Sequence, residues 1–205
     1  MINKKTYRLV CFMKRKKHNK YAKILIAATE LICKEGYRAA SLQEIASQVG
    51  IHKTSLFHYI ENKEDLLRQI LQSSLGRSSL KLEEIVNNDR LTPEKKLREA
   101  FKNHLRQAPN MVSNQIVYSN DFRNLSKKTQ KMFLEERRKY EKLFKKIVIE
   151  LQRDNYLNGL DTSVVTLGIF GMLNWFPKWY KKDDRLSIDE ISNIFLKMIL
   201  GKGQG

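Results

Sequence analysis

The stretch SLQEIASQVGIHKTSLFHYIENK, from Ser41 to Lys63, constrains the fold more tightly than any other part of the chain. Leu42, Ile45, Ala46 and Val49 stand at i, i+3, i+4 and i+7, which gives a short helix a single apolar stripe that must be buried. Gly50 supplies a residue able to take the left-handed conformation that turns a chain after a helix, and Ile51 follows under the turn. In a second short helix Leu56 and Ile60 lie four apart for packing on the first, so His52, Lys53, Thr54 and Ser55 at its start are free to face elsewhere. Two short helices joined at a glycine turn, the second opening with polar and cationic side chains, predict a helix-turn-helix. In such a unit the second helix enters a DNA major groove N-terminus first.

The flanking sequence reads as helices. Ile24, Ala27, Ala28 and Leu31 keep helical spacing up to Gly36, which suits the position just past a helix end. Ser41 followed by Glu44 forms a capping box for the next helix, and Asn62, with Glu64 and Asp65 behind it, starts a fourth. Leu66, Leu67, Ile70 and Leu71 give that fourth helix a buried side, and it is expected to run past Leu80. Thr92 and Pro93 open a further helix with Leu97, Phe101 and Leu105 on one face, closed by Pro109. A long helix is expected from about Ser126 to Asp154, with Tyr140, Phe144, Ile147 and Leu151 on one face.

From Asp161 to Tyr180 the chain is apolar nearly all round, which asks for two buried faces, and Pro177 should kink or stop that helix. Ser187 and Glu190 form a second capping box ahead of a stripe that includes Ile188, Ile191, Ile194, Phe195, Met198 and Ile199. No strand pattern is present. The expected architecture is all-α with about nine helices. Residues 1–18 are expected to form a basic, disordered arm, residues 19–65 a three-helix DNA-binding head, and residues 66–205 a larger helical body.

Charge narrows the partner. The formal net charge is +17 and the pI about 9.9, which favours a polyanion, either nucleic acid or an anionic membrane surface. Residues 1–75 hold 14 Lys/Arg against 6 Asp/Glu, and residues 1–23 hold nine Lys/Arg and no acid. That arm is either a plain solvated tail or one that follows phosphates beside the recognition helix, and Met13 offers an alternative start. Two cysteines, Cys11 and Cys33, give no disulfide framework, and no apolar run nears the length of about 18 residues that spans a bilayer. A cytoplasmic setting without membrane insertion is expected. No Ser/His/Asp order, phosphate loop, HExxH or CxxC is present, so an enzyme is not expected. No metal or other cofactor is expected either, since none of the four histidines has a partner at zinc-ligand spacing.

The residues Glu35-Gly36-Tyr37, Ser41, Ile45-Ala46, Gly50-Ile51, Leu56, Tyr59 and Lys63-Glu64 resemble, in that order, the DNA-binding region of the TetR family of transcriptional regulators. Thr54, Phe57 and Ile60 depart from the glycine, tyrosine and phenylalanine common there, and Phe57 has no hydroxyl to offer a phosphate. The closing stretch from Gly171 to Gly201 resembles the C-terminal signature of TetR-like regulators of lipid and sterol catabolism that respond to CoA thioesters. The resemblance implies a homodimer paired through its last two helices on a palindromic double-stranded DNA operator, acting as a repressor. A small apolar effector, in this group an acyl-CoA, would bind in the body and release the operator. A sensor of another hydrophobic ligand, or a nonspecific basic nucleic-acid or membrane-surface binder, is the alternative.

Candidate residues follow from both readings. For DNA they are Ser41, His52, Lys53, Thr54, Ser55, Phe57, His58, Tyr59 and Lys63. Lys53 suits guanine acceptors or a phosphate, Thr54 and Ser55 base edges or thymine methyls, and Lys63, unfavourable at a helix N-terminus by itself, a nearby phosphate. Ser41 suits a cap and a phosphate contact equally. An apolar effector pocket is expected among Phe101, Arg106, Met111, Tyr118, Phe122, Phe144, Phe170 and Trp175, although plain core packing is the ordinary fate of such residues. The dimer interface is expected at Leu167, Gly171, Asn174, Lys178, Ile191, Phe195 and Met198.

Overall fold

The computed structural model describes residues 4–107, 120–180 and 185–201. Eight α-helices are present among them: α1 Lys4–Glu35, α2 Leu42–Gln48, α3 Lys53–Leu56, α4 Lys63–Val86, α5 Pro93–Gln107, α6 Lys127–Arg153, α7 Thr162–Trp179 and α8 Ile188–Leu200. A 3-10 turn at Asn120–Asn124 precedes α6, and no strand occurs among the described residues. The all-helical expectation is met, with eight helices described where about nine were expected.

Two hydrophobic clusters organise the molecule. The head cluster gathers Ile24, Ala28, Leu31 and Ile32 of α1, Ile45 and Ala46 of α2, Leu56 of α3, and Leu66, Leu67, Ile70, Leu71 and Leu75 of α4. The body cluster gathers Leu82 and Val86 of α4, Leu97, Phe101 and Leu105 of α5, Phe144, Ile147 and Leu151 of α6, Phe170, Leu173 and Phe176 of α7, and Ile191 and Leu196 of α8. Helix α4, 24 residues and so about 36 Å long, belongs to both. Leu125 and Phe133 also lie in the head cluster, whereas the later residues of α6 lie in the body. The boundary expected at residue 65 therefore falls inside one continuous hydrophobic unit. The reason is that α2 and α3 are too short to enclose a core and must be closed from behind by α1 and α4.

The local signals formed as read. Ser41 with Glu44 and Ser187 with Glu190 make reciprocal capping boxes and Asn62 caps α4; Ser126 and Asp161, expected only as the bounds of their helices, also cap α6 and α7. Gly36 and Gly50 carry positive φ, 88° and 65°, at the two turns that require it. Pro177 is tolerated in the last turn of α7, which ends two residues later at Trp179. The basic stretch expected to be disordered is instead helical from Lys4 onward. No glycine or proline interrupts the chain before Gly36, so nothing local stops α1 from extending.

Phe144 is wholly buried at the centre of the body, with ring centroids 5.0 Å from Phe170, 5.4 Å from Tyr140 and 6.5 Å from Phe101. Phe144→Ala should cost about 3–5 kcal/mol of unfolding free energy, measured by denaturant titration; a loss under about 1 kcal/mol would contradict this packing.

Candidate nucleic-acid interface and effector region

The helix-turn-helix is held from its inner side. Ile45, Ala46, Leu56 and Ile60 are buried, while Leu42, Val49 and Ile51 pack at the margin. Val49 carbonyl accepts from Lys20 Nζ at 2.9 Å, which ties the turn to α1. From α4, Asp65 Oδ2 accepts from the Glu61 amide at 2.9 Å and from Gln69 Nε2 at 2.8 Å, and Gln69 Oε1 accepts from Tyr21 hydroxyl at 2.7 Å. Partial burial raises the Asp65 carboxyl pKa, but hydrogen bonds from the Glu61 amide, Arg68 and Gln69, with the Arg68 charge, more than offset it and leave the pKa below its usual value. This network fixes where the chain leaves the recognition element.

The recognition helix is shorter than the spacing suggested. Regular α3 ends at Leu56, and bonds from Phe57 N to Thr54 O, His58 N to Ser55 O and Tyr59 N to Leu56 O continue it as a tighter turn. His52 occupies its N-cap position, and its side chain makes no cap hydrogen bond. His52, Lys53, Thr54, Phe57 and His58 are exposed, whereas Ser55 and Tyr59 are half-buried. Phe57 stands 49 % exposed, a large apolar side chain with no core neighbour to account for it.

Ser41 Oγ is engaged in its capping box, accepting from the Glu44 amide at 3.1 Å and donating to Glu44 Oε2 at 2.6 Å. Lys63 is not idle either: its Nζ donates to Arg38 carbonyl at 3.0 Å and lies 4.8 Å from the Tyr37 ring centroid. Those contacts account for a cation at a helix N-terminus without a phosphate.

Of the eight residues expected to line an effector pocket, the six that are described do not all come together. Phe101, Phe144 and Phe170 pack on one another in the body core. Phe122 packs instead in the head, 5.6 Å from Phe133, because the turn before α6 folds back onto α4. Trp175 is 59 % exposed, and Arg106 is exposed and paired with Asp189 at 3.0 Å. Met111 and Tyr118 lie outside the described residues.

A surface cleft of about 400 Å³ does open between α4 and α5, lined among others by Lys81, Glu84, Glu99, Lys102, Asn103 and Arg106. Its cations are matched by acids within the chain, Lys81 by Glu84 at 2.8 Å and Lys102 by Glu99 at 3.3 Å. Among the described residues no three His, Cys, Asp or Glu side chains are grouped to hold a metal.

On the last two helices the expected interface residues divide. Leu167, Gly171, Lys178 and Met198 are exposed and Asn174 is half-buried, but Ile191 is buried in the chain's own core with Phe195 packed against it. The stripe on α8 is wide enough to face α5, and Ile191 sits on that inner side. Val164, Leu167, Gly168, Gly171 and Trp175 share one exposed face of α7, and Ile194 and Met198 one of α8.

Sequence reading missed the contact that joins head to body. Glu64, in the first turn of α4, accepts from the Ser126 amide at 3.0 Å and from the hydroxyls of Ser126 and Thr129 at the start of α6. Partners 62 and 65 residues apart leave no local pattern to find.

The N-terminal region, residues 24–70, matches the model of bacterial regulatory proteins of the tetR family, and residues 90–202 match the tetracyclin repressor-like C-terminal domain. The chain belongs to the TetR family. This TetR-family chain is 24 % identical over 188 residues to the fatty acid metabolism regulator protein of Bacillus subtilis, covering 91 % of this chain and 96 % of that one. It is 23 % identical over 183 residues to the HTH-type transcriptional repressor KstR2 of Mycolicibacterium smegmatis, covering 87 % of each. Among solved structures, AibR in complex with isovaleryl coenzyme A and operator DNA superposes with a TM-score of 0.76 at 26 % identity, over 88 % of this chain and 98 % of that one. The fatty acid degradation regulator FadR from Bacillus halodurans superposes with a TM-score of 0.72 at 24 % identity, over 89 % and 95 %. The protein is thus a transcriptional regulator and not an enzyme.

Partial burial raises the Glu64 carboxyl pKa, but its hydrogen bonds from Ser126 and Thr129, with the Arg68 charge, more than offset this and hold it below the usual carboxylate range. A depressed folded pKa contributes stability above the ordinary value that is lost as pH falls through the folded one. Glu64→Gln should therefore melt below wild type at neutral pH, with the gap closing on acidification; a gap independent of pH would refute the assignment.

Proposed function

We propose that the protein is a TetR-family repressor that binds a palindromic operator as a homodimer and is released by a small apolar effector, an acyl-CoA thioester. The observation that carries the DNA reading is the uncovered front of α3. His52, Lys53, Thr54 and His58 are exposed while the same short element buries Leu56. A recognition helix has this distribution, since its packing side is used up and its polar front is left exposed among the described residues. Lys53 supplies the main cationic contact, Thr54 and Ser55 read base edges, and His58, Tyr59 and Lys63 flank the backbone. Phe57 adds an apolar contact in place of a phosphate hydrogen bond. Ser41 combines its cap with a phosphate contact at the N-terminus of α2.

Dimerisation is supported by the apolar faces left outside the chain's own core. Val164 is 67 % exposed, Leu167 59 %, Trp175 59 % and Met198 66 %. A second copy docking α7 and α8 against their equivalents would bury them in a four-helix arrangement and set two α3 helices about 34–36 Å apart, one turn of DNA. The glycines Gly168 and Gly171 lie within that exposed row and leave room for close approach.

The effector reading draws on the relatives, a fatty acid regulator and a regulator solved with isovaleryl coenzyme A, together with the aromatic interior of the body. An effector acts by preferring one spacing of the two heads over another. Here α4 and the Glu64 contact to α6 are the mechanical route from body to head.

Selection of bound sequences from random DNA should yield one palindrome, preferred over random DNA by roughly a thousandfold or more at physiological salt; no preference would mark a nonspecific basic binder. Lys53→Ala should weaken that binding and reduce its salt slope by about one ion. Leu167→Glu should give a folded monomer by sedimentation with no operator affinity; a dimer unaffected by this change would place the interface elsewhere.

A further inference from the structure

Most buried polar side chains in this protein have partners, as Lys96 does with Glu150 at 2.9 Å. The centre of the body holds two that are incompletely bonded. His104 of α5 is 3 % exposed and Tyr140 of α6 is 5 % exposed; neither ring nitrogen of His104 makes a hydrogen bond, and the Tyr140 oxygen meets only the Asn103 side chain as a donor, so its O–H has no acceptor. Their rings lie 5.8 Å apart. Around them stand Phe144 at 6.5 Å and Phe170 at 6.2 Å from His104, and Phe170 at 6.1 Å from Tyr140.

A buried donor without an acceptor is a standing cost, and a histidine with neither ring nitrogen bonded beside a phenol O–H with no acceptor is hard to reconcile with a site whose role is only to be filled. Leucine or phenylalanine would pack there without that cost. Burial alone lowers the His104 pKa to about 4, so the imidazole is neutral, with one N–H to donate. Burial likewise pushes the Tyr140 phenol well above its ordinary value, with Asn103 offsetting part of the rise, so its O–H is retained as a donor. The pair thus presents two neutral donors inside an aromatic enclosure.

We propose that His104 and Tyr140 are the carbonyl-recognising pair of the effector site: when the aromatic cluster opens, both donate to the carbonyl oxygen of an acyl thioester whose chain takes the space among Phe101, Phe144 and Phe170. This rests on the reading of the body as an acyl-effector site and deepens it by naming the functional group recognised. A carbonyl oxygen has two lone pairs, one for each donor, and is uncharged. A free carboxylate would bring a charge among the described aromatic rings, none of which can pair with it, and this is disfavoured. The site is therefore selective for the thioester over the free acid and over a thioether of equal length. Asn103, next along α5, lines the outer cleft, where Lys102 and Arg106 would exchange their partners Glu99 and Asp189 for the CoA phosphates.

The test uses the full-length protein and calorimetric binding of short- to long-chain acyl-CoA, the matching free fatty acids, and S-alkyl-CoA thioethers that lack the carbonyl. Wild type should bind the best thioester roughly five- to tenfold more tightly than the thioether of equal length, and Tyr140→Phe and His104→Phe should each reduce that ratio toward one. Tyr140→Phe removes a single oxygen, so it keeps the test open if the histidine variant folds poorly. In the absence of ligand His104→Phe should melt at or above wild type, since it removes an unsatisfied group, and Tyr140→Phe close to wild type, since it removes an unsatisfied donor together with the contact to Asn103. Three results overturn the inference while leaving the acyl-CoA reading intact: equal binding of thioester and thioether, variants that keep the preference, or variants melting several degrees lower, which would show the groups bonded in the resting protein. If no acyl-CoA binds and none releases the operator, the effector reading fails and this inference with it.

Discussion

One unbroken helix serves two cores. The residues from Leu66 to Leu75 close the head from behind, and Leu82 and Val86 of the same α4 close the body. Because the backbone hydrogen bonds of a helix make it stiff along its axis, displacement of α4 within the body is transmitted to the surface on which α2 and α3 rest. The start of α6 adds a second tie through Leu125 and Phe133, packed in the head, and through the carboxylate of Glu64. That carboxylate binds three donors at the first turn of another helix, where helix dipole and hydrogen bonding act in the same sense.

This coupling explains why a four-residue helix can serve as a reading element. By itself α3 has no helical stability, since a helix that short does not repay its nucleation. Leu56 and Ile60 fix it from beneath, while Asp65 and Gln69 hold the strand of backbone that leaves it. The side chains at its front, His52, Lys53, Thr54 and His58, stay exposed and take no part in this packing.

Much of this was legible in the sequence because it depends on local periodicity. The capping boxes at Ser41 and Ser187, the turns at Gly36 and Gly50, the start of α5 at Pro93 and the polar front of α3 are all set by residues within a turn or two of one another. What escaped depends on which of several apolar faces meets which neighbour. Phe122 shares its residue type with Phe170, yet one packs in the head and the other in the body. Ile191 belongs to the same stripe as Met198, but the first faces α5 and the second faces outward. His104 looked unremarkable because no neighbour in sequence reveals that α6 and α7 enclose it. The start of α1 at Lys4 has a different origin: a basic composition suggests solvation, while the absence of any breaker permits a helix.

The seating of Leu125 and Phe133 against the head has a practical corollary for anyone dissecting the protein. A fragment cut after residue 65 would discard Leu66, Leu67, Ile70 and Leu71 along with that outer layer, leaving Ile45 and Leu56 open to water on the side that these residues cover. Such a piece would keep only part of the head's dry interior. Head and body share α4 and what packs on it, so a cut through that helix strips a layer from both.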